Sequence, residues 1–458
     1  MVSIELDDEA HGAPPEHRRT VSRGTRPWWV VGAATAVLAL VLGQWVADLR
    51  SHAGWQRLAD RTDVVRPVGR SVTPRWSLDP SQLATISQGL RWRGTVVGPV
   101  DLPDGSVVLA SVDGRDGHRR WTTPVLGPDP QRAQAGSSLR PAGACERQPD
   151  DPSRVVCLVS DAVVVGGEHS VTAHAPTSEV HLVVVDPETG RTRADHRVGT
   201  DLGTLYALLP GGLAVLGSSR SSSDVVAVDA ASGAERWRVA APPAARGAGF
   251  GVAAVGDAVA VIGDTGLVVL GRDGTVRRTE RVTGFQGYLP AGDGRIAVPG
   301  STGTLVVGAD RDLQLVGAAL CVAADDGSVP GLTLTRSDAL HAYGADGRPW
   351  WQLTGSSPTG AVVLHGVVYL TRDGGVVAVD GVTGKVVWQV SLPVQPLSPM
   401  RDGRVLLVAL STDVAALDPR TGAELWRSPL PSGGTTLVAF GGLLLATTKD
   451  GPGTVVLG

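Results

Sequence analysis

VVAVDAASGAERWRV, at Val225–Val239, is the stretch from which the fold follows. It opens with an uninterrupted apolar run, the signature of a strand buried on both faces. Asp229 comes next, then Gly233, then Trp237 eight positions after the acid. The carboxylate can accept the backbone N–H two residues on and hold a turn. Glycine supplies the positive φ that other residues resist. The indole leaves the following strand to fill the space between neighbouring sheets, a volume that valine and alanine cannot supply.

The unit recurs. VVAVDGVTGKVVWQV at Val376–Val390 carries Asp380, Gly384 and Trp388, and VAALDPRTGAELWRS at Val414–Ser428 carries Asp418, Gly422 and Trp426. VLASVDGRDGHRRWTT carries Asp113, Gly117 and Trp121. Weaker copies lie between. One keeps Asp186 and Gly190 but has Ala194 at the tryptophan position, two are a residue shorter at the turn (Leu267–Val282 and Ala339–Leu353, the second with Trp351), and Thr304–Gly317 is the faintest. From Asp186 through Asp229, Gly271, Gly308, Gly344 and Asp380 to Asp418 the spacings are 43, 42, 37, 36, 36 and 38. The step from Asp113 to Asp186 is 73 and contains an insertion. A period of this size suits one four-stranded propeller blade, and the absence of helical periodicity excludes TPR or HEAT solenoids. Sixty glycines, 31 prolines and few large aromatics fit short strands and tight turns.

The form A-x-D-x-x-(T/S)-G-x-x-x-W, at Ala227–Trp237, Ala378–Trp388 and Ala416–Trp426, resembles the tryptophan-docking motif of the PQQ-like (pyrrolo-quinoline quinone repeat) β-propeller family. The resemblance spans roughly residues 91–458. It is specific for architecture and weak for activity, because the motif is structural. It implies an all-β PQQ-like β-propeller, and the eight markers give eight blades, with seven as the alternative. One blade is expected to be shared by the two ends: Thr435–Phe440, Leu443–Thr448 and Thr454–Leu457 would join strands near Ser106–Val112 and Arg119–Val125, leaving no open edge.

Pro27–Ala47 reads PWWVVGAATAVLALVLGQWVA, 21 residues without a charge, with Trp28 and Trp29 at one end and Trp45 at the other. Its length matches a bilayer's hydrocarbon core and its indoles suit the headgroup region. A cleaved signal peptide would be shorter and end in a small-x-small site, whereas Asp48-Leu49-Arg50 follows here. Arg18, Arg19, Arg23 and Arg26 precede the segment, so the N-terminus is expected inside. The expected organisation is a cytoplasmic tail at 1–27, one transmembrane helix at 28–47, a stem at 48–90 and the propeller at 91–458, outside the cytoplasm. Arg18-Arg19-Thr20-Val21-Ser22 in the tail has the form of a basophilic kinase site, but a positive-inside flank explains it as well.

The net charge of −4 gives no support for nucleic-acid binding. Arginine almost replaces lysine, which is present only at Lys385 and Lys449, a usage that hints at a high-GC, actinobacterial source. Of three cysteines, Cys145 and Cys157 flank the polar segment ERQPDDPSRVV, and a hairpin there would bring them to disulfide distance. Cys321 follows an apolar approach to a strand and is expected to stay a buried thiol. Quinoprotein dehydrogenases of the resembling family carry adjacent cysteines and a calcium-ligand set, but no two cysteines are adjacent here. His169, His174 and His181 could hold a zinc; solvated loop histidines are the simpler reading. Asp325-Asp326-Gly327-Ser328 lacks the alternation of a calcium loop and reads as a turn. No catalytic, cofactor or metal residue is assigned. The expected role is a membrane-anchored binding or scaffold module for a protein or glycan partner, with a quinone- or metal-dependent oxidoreductase as the alternative. The apolar segment is expected to be retained in the mature protein. N-terminal sequencing that begins near residue 48 or 54 would instead show it cleaved.

Overall fold

Every apolar strand run that the sequence repeats becomes the interior of a four-stranded antiparallel sheet. The computed structural model describes residues 64–458, apart from 80–81, 83–84, 87–88, 135–142, 162–163, 168–169, 175–177, 200–201, 203–204, 218–223, 241–250, 264, 284–286, 356–357, 373, 393–399, 403, 432–435 and 448–452. The tail and the Pro27–Ala47 segment lie outside the described residues. Among the described residues no helix is long and apolar enough to cross a membrane.

Among the described residues there are nine blades rather than eight or seven. Blade 1 pairs Leu90–Trp92, Thr95–Asp101, Val107–Asp113 and Arg119–Leu126 in chain order. Blades 2 (144–197), 3 (205–240), 4 (251–280), 5 (289–315), 6 (318–354), 7 (360–391) and 8 (400–429) follow. Blade 2 has a two-stranded hairpin, Val164–Gly167 with Ser170–His174, inserted between its second and third strands. Blade 7 gains a fifth strand, Val322–Asp325, parallel to Gly360–Leu364. Blade 9 takes Thr436–Phe440, Leu443–Thr447 and Thr454–Leu457 from the chain's far end. Its outermost strand is Pro74–Ser77, with Trp76 opposite Val456.

That pairing corrects both the blade count and the stem. The strands expected to share a blade with the tail have a complete sheet of their own, because Leu90–Trp92 and Thr95–Asp101 supply its first two strands. The exposed edge of Thr454–Leu457 is covered instead by residues within 48–90. The segment before Pro74 is also tied down: Val68 N–H donates to Asp402 Oδ2 (3.0 Å) and Val72 N–H to Ser428 Oγ (2.9 Å).

The core is a ring of inter-sheet layers rather than a centre. Second and third strands are buried throughout, as in Leu213–Gly217 and Asp224–Asp229, whereas outermost strands alternate, as in Glu235–Ala240. Separate apolar clusters join blades 1 and 2, 3 and 4, 7 and 8, and the other neighbours in turn. First strands of successive sheets lie against one another, so they line the axis.

Each layer is locked at the rim by the repeated motif. Trp121 of blade 1 donates its indole N–H to Pro187 O (3.1 Å), and its ring covers Gly190, where a Cβ would stand 2.5 Å away. Trp237 meets Arg272 O (2.8 Å), Trp351 meets Gly381 O (2.9 Å) and Trp388 meets Pro419 O (2.9 Å). Gly422, at φ 73°, therefore serves twice: its backbone closes the turn through a bond to Asp418 O (2.8 Å), and its missing side chain seats Trp388. Within the turns Asp229 accepts N–H groups of Ala231 (3.1 Å) and Ser232 (2.9 Å) and pairs with Arg236 (2.6 Å). Arg236 and then Ser232 hold its pKa at about 2 against burial.

Where the tryptophan is missing, other chemistry takes its place. In blade 2, Ala194 stands at that register and His196, two residues on, covers Gly233 and reaches Ala231 O (3.1 Å). In blade 4, Arg278 pairs with Asp312 (2.6 Å) and donates to Ala309 O (2.8 Å) and Gly308 O. In blade 5, Leu313 packs at Gly347. Among the described residues Trp388 is the most enclosed indole, its ring tilted at 45° to Tyr369 with centroids 5.9 Å apart. Replacing it with alanine is expected to cost about 3–5 kcal/mol, read as a fall in the denaturant midpoint at unchanged slope. Wild-type stability in that variant would contradict the docking role.

Candidate functional site

Propeller faces and rims are where side chains of many blades converge, and here three places stand out. The first is the axis. Glu146, on the first strand of blade 2, Ala144–Gln148, accepts the Leu208 N–H of blade 3 (3.1 Å). Burial pushes its carboxyl from 4.5 to about 7, against that hydrogen bond. Tyr206 of blade 3 and Tyr288 beside blade 5 lie within its field, and burial followed by the Glu146 charge raises both phenols. Their hydroxyls donate to Val156 O (3.3 Å) and Val252 O (3.1 Å). Asp150 extends the junction between blades 2 and 3 by accepting Gly211 N–H (2.9 Å). The arrangement offers a single acid that changes charge near neutral pH.

The second place is the rim. The residue just before each docking position points outward on the outermost strand. It is Arg75, Arg120, Arg193, Arg236 and Arg277 on blades 9, 1, 2, 3 and 4; blade 5 is the exception, where Asp312 turns in to pair with Arg278. Arg120, Arg193 and Arg236 each pair with the turn aspartate of their own blade, at 2.6, 3.0 and 2.6 Å. On blades 6, 7 and 8 the position is Trp350, Val387 and Leu425, exposed at 38%, 53% and 52%. Val382 and Val386 are also exposed on blade 7. The third place is a cleft where blade 9 meets blade 1, lined by Arg66, Arg75 and Arg115.

The residues singled out in the sequence fall outside a shared site. Asp113, Gly117, Trp121, Asp229, Gly233, Trp237, Asp380, Gly384, Trp388, Asp418, Gly422 and Trp426 are distributed around the rim, one set to a blade. Cys145 and Cys157 are opposite one another in the first hairpin of blade 2, Cα atoms 4.1 Å apart, and form a disulfide. Both side chains are buried against blade 1. They are therefore not an adjacent pair of the kind that the resembling dehydrogenases carry. Cys321 stands outside the disulfide and is exposed, not buried, because it lies where the chain leaves Ala318–Ala319 for Val322–Asp325.

His181 is engaged by Asp195 (2.6 Å) and Glu179 (3.1 Å). Desolvation lowers its pKa, but those two bonds outweigh it and leave the imidazole raised. His169 and the tail motif at Arg18–Ser22 lie outside the described residues. Among the described residues no group of three or more His, Cys, Asp or Glu side chains is placed to hold a metal. Asp325 and Asp326 accept Gly327 and Ser328 N–H groups (2.8 and 2.9 Å), and Asp326 also takes His365 N–H (2.8 Å). They tie the loop between blades 6 and 7.

Of the docking substitutes, Arg278 keeps the register of Trp351, seven residues after the marker glycine, whereas His196 and Leu313 stand off it. Glu146 had no such signal, since nothing in ACERQ distinguishes it from a surface glutamate.

Residues 312–456 match the PQQ_2 family model, described as outer membrane protein assembly factor BamB. Among curated proteins none matches the sequence. Similar solved structures include BamB from Moraxella catarrhalis, at 17% identity over 84% of this chain and 99% of that one, with a TM-score of 0.42. Quinohemoprotein alcohol dehydrogenase from Comamonas testosteroni is similar at 16% identity over 87% and 79%, TM-score 0.40. AztD from Citrobacter koseri is similar at 12% over 70% and 91%, TM-score 0.39. The chain folds as a β-propeller, and its residues 312–456 match that family model.

Because Glu146 is more basic folded than unfolded, the fold favours its protonated form. Its contribution is full below 4.5, is lost as pH rises to about 7, and is constant above that. The loss is about 3 kcal/mol. Glu146→Gln keeps the acceptor for Leu208 and removes the charge, so unfolding free energy should lose that slope and exceed wild type above neutrality. Parallel pH profiles of the two proteins would contradict this.

Proposed function

We propose that this propeller is a non-enzymatic binding or scaffold module for a protein partner, displayed outside the cytoplasm from the single-pass anchor at 28–47. The observation that carries the reading is the rim of blades 6 to 8. Trp350, Val387 and Leu425 occupy equivalent outward positions on three successive outermost strands, where five other blades present arginine. Consecutive exposed apolar side chains cost solubility in water, and in soluble proteins such patches mark interaction surfaces. The outermost strands add unpaired backbone edges to which an extended segment can hydrogen-bond. The match of residues 312–456 to a family described by an assembly factor supports the same reading, since it covers these blades. A disulfide within blade 2 suits an oxidising compartment. The patch is apolar and poor in hydroxyl-binding acids, which favours a protein over a glycan.

The test is photo-crosslinking in native membranes from Val387 and Leu425, with Arg193 and Arg236 as positions on the arginine side. A discrete protein adduct is expected from the first pair, lost in a Trp350→Glu background and absent from the second. Equal adducts from both sides would overturn the reading. So would a bound quinone spectrum after incubating the purified chain with PQQ and calcium.

A further inference from the structure

The seam cleft encloses about 320 Å³ between blades 9 and 1, beneath the segment that enters from residue 64. Arg66 is held there by its backbone, whose N–H donates to Gly442 O (3.0 Å). Its guanidinium lies against two glycines. A Cβ at Gly94 would stand 2.8 Å from Arg66 Nη2, and one at Gly114 would stand 3.2 Å from it and 2.6 Å from Leu443. Gly114 has an ordinary φ, so its lack of a side chain is required by this packing and not by its backbone.

The half-buried guanidinium has no acid to itself. Asp113 is the carboxylate nearest in effect, but Arg120 already occupies its Oδ2 through Nε (3.0 Å) and Nη2 (2.6 Å), and Arg115 N–H takes its Oδ1 (2.8 Å). Among the described residues no carboxylate pairs with the guanidinium of Arg66, Arg75 or Arg115. Burial pulls the Arg66 pKa down, Asp113 raises it, and Arg115, Arg120 and Arg75 each lower it further. Asp113 is shared and Gly458, the last residue, lies against Arg75, yet the three guanidiniums outnumber the carboxylates at this partly desolvated point and have further anionic contacts to gain from solution.

We propose that this cleft binds a phosphate group. Three guanidiniums offer more parallel N–H pairs than one carboxylate can accept, whereas a phosphate has three terminal oxygens to share among them. The volume admits an inorganic phosphate or the head of a phosphate ester. The apolar wall made by Leu443, Leu444 and Leu457 leaves room for the carbon side of an ester. The site sits on the arginine side of the rim, separate from the apolar patch on blades 6 to 8, so it stands or falls independently of the partner proposed above.

Calorimetry of the detergent-solubilised full chain at low ionic strength tests it in two arms. One titrates inorganic phosphate with acetate as the comparison anion. The other uses mixed micelles with and without phosphatidic acid. Saturable phosphate binding is expected, with acetate weaker. Arg115→Gln and Arg66→Gln should each weaken it on the order of tenfold, while Arg191→Gln, on a blade 2 turn, leaves it unchanged. Arg115 is exposed, so its variant folds normally, and near-ultraviolet circular dichroism checks Arg66→Gln. Binding only to phosphatidic acid micelles, with the same sensitivity, would mean that the phosphate arrives on a lipid. No saturable binding in either arm, binding indifferent to both variants, or acetate binding as tightly as phosphate would each overturn the assignment.

Discussion

An indole from one blade lying on the turn glycine of the next is the contact on which the rest of this structure depends. Blades filled by valine, alanine and leucine have shallow, similar faces, and such faces alone would slide. The docking contact removes that freedom at the outer radius, where small errors in angle would be largest. It couples three requirements in one place: a positive φ, an absent side chain and a carbonyl facing outward. Gly190, Gly384 and Gly422 meet all three, which is why the turn and the tryptophan recur together in the sequence.

A ring of such contacts is complete only if its last member finds its first. Trp76 makes that join. It belongs to Pro74–Ser77, which pairs as the fourth strand of blade 9, and its ring lies on Gly117 of blade 1, where a Cβ would come within 2.7 Å. One short segment thus covers the open edge of Thr454–Leu457 and supplies the indole for the ninth joint of the ring. The same segment brings Arg66 and Arg75 to the seam, so closure of the ring and the charge in the cleft have one origin.

The architecture was legible because the motif carries its own physics: acid, glycine and tryptophan at fixed spacing cannot be satisfied by a helix. The blade count was not, because Pro74–Ser77 has four residues and three prolines within reach, and it becomes a strand only by pairing with a partner almost the whole chain away. The disulfide was legible because both cysteines belong to one hairpin, so local geometry decided it. Cys321 was misread as buried because its apolar approach leads into a crossing between blades instead of a blade interior. The axial acid, the arginine cleft and the apolar rim all arise from residues of different blades. Their meeting is set by the closure of the ring, which no local pattern encodes.

The substitutions at the docking position show how much tolerance the design has. Arg278 replaces an apolar plug with a guanidinium that satisfies two carbonyls and Asp312, itself almost fully buried. A buried ion pair gains little over a well-packed indole, yet losing one partner strands a desolvated charge. The join between blades 4 and 5 therefore depends on both residues together, whereas an indole joint depends on volume and one N–H. Leu313, which donates nothing, carries the next join by packing alone. Blades 4 to 6 are thus held by the least redundant contacts in the ring, next to the sequence-perfect joints of blades 7 and 8. That asymmetry matches the rim, where arginine paired to turn aspartate gives way to exposed apolar side chains just where docking by tryptophan resumes. Blades 1 and 3 keep both indole and paired arginine, whereas on blades 7 and 8 the turn glycine and the Asx bonds of Asp380 and Asp418 hold without it, which leaves the outward position open to the proposed partner.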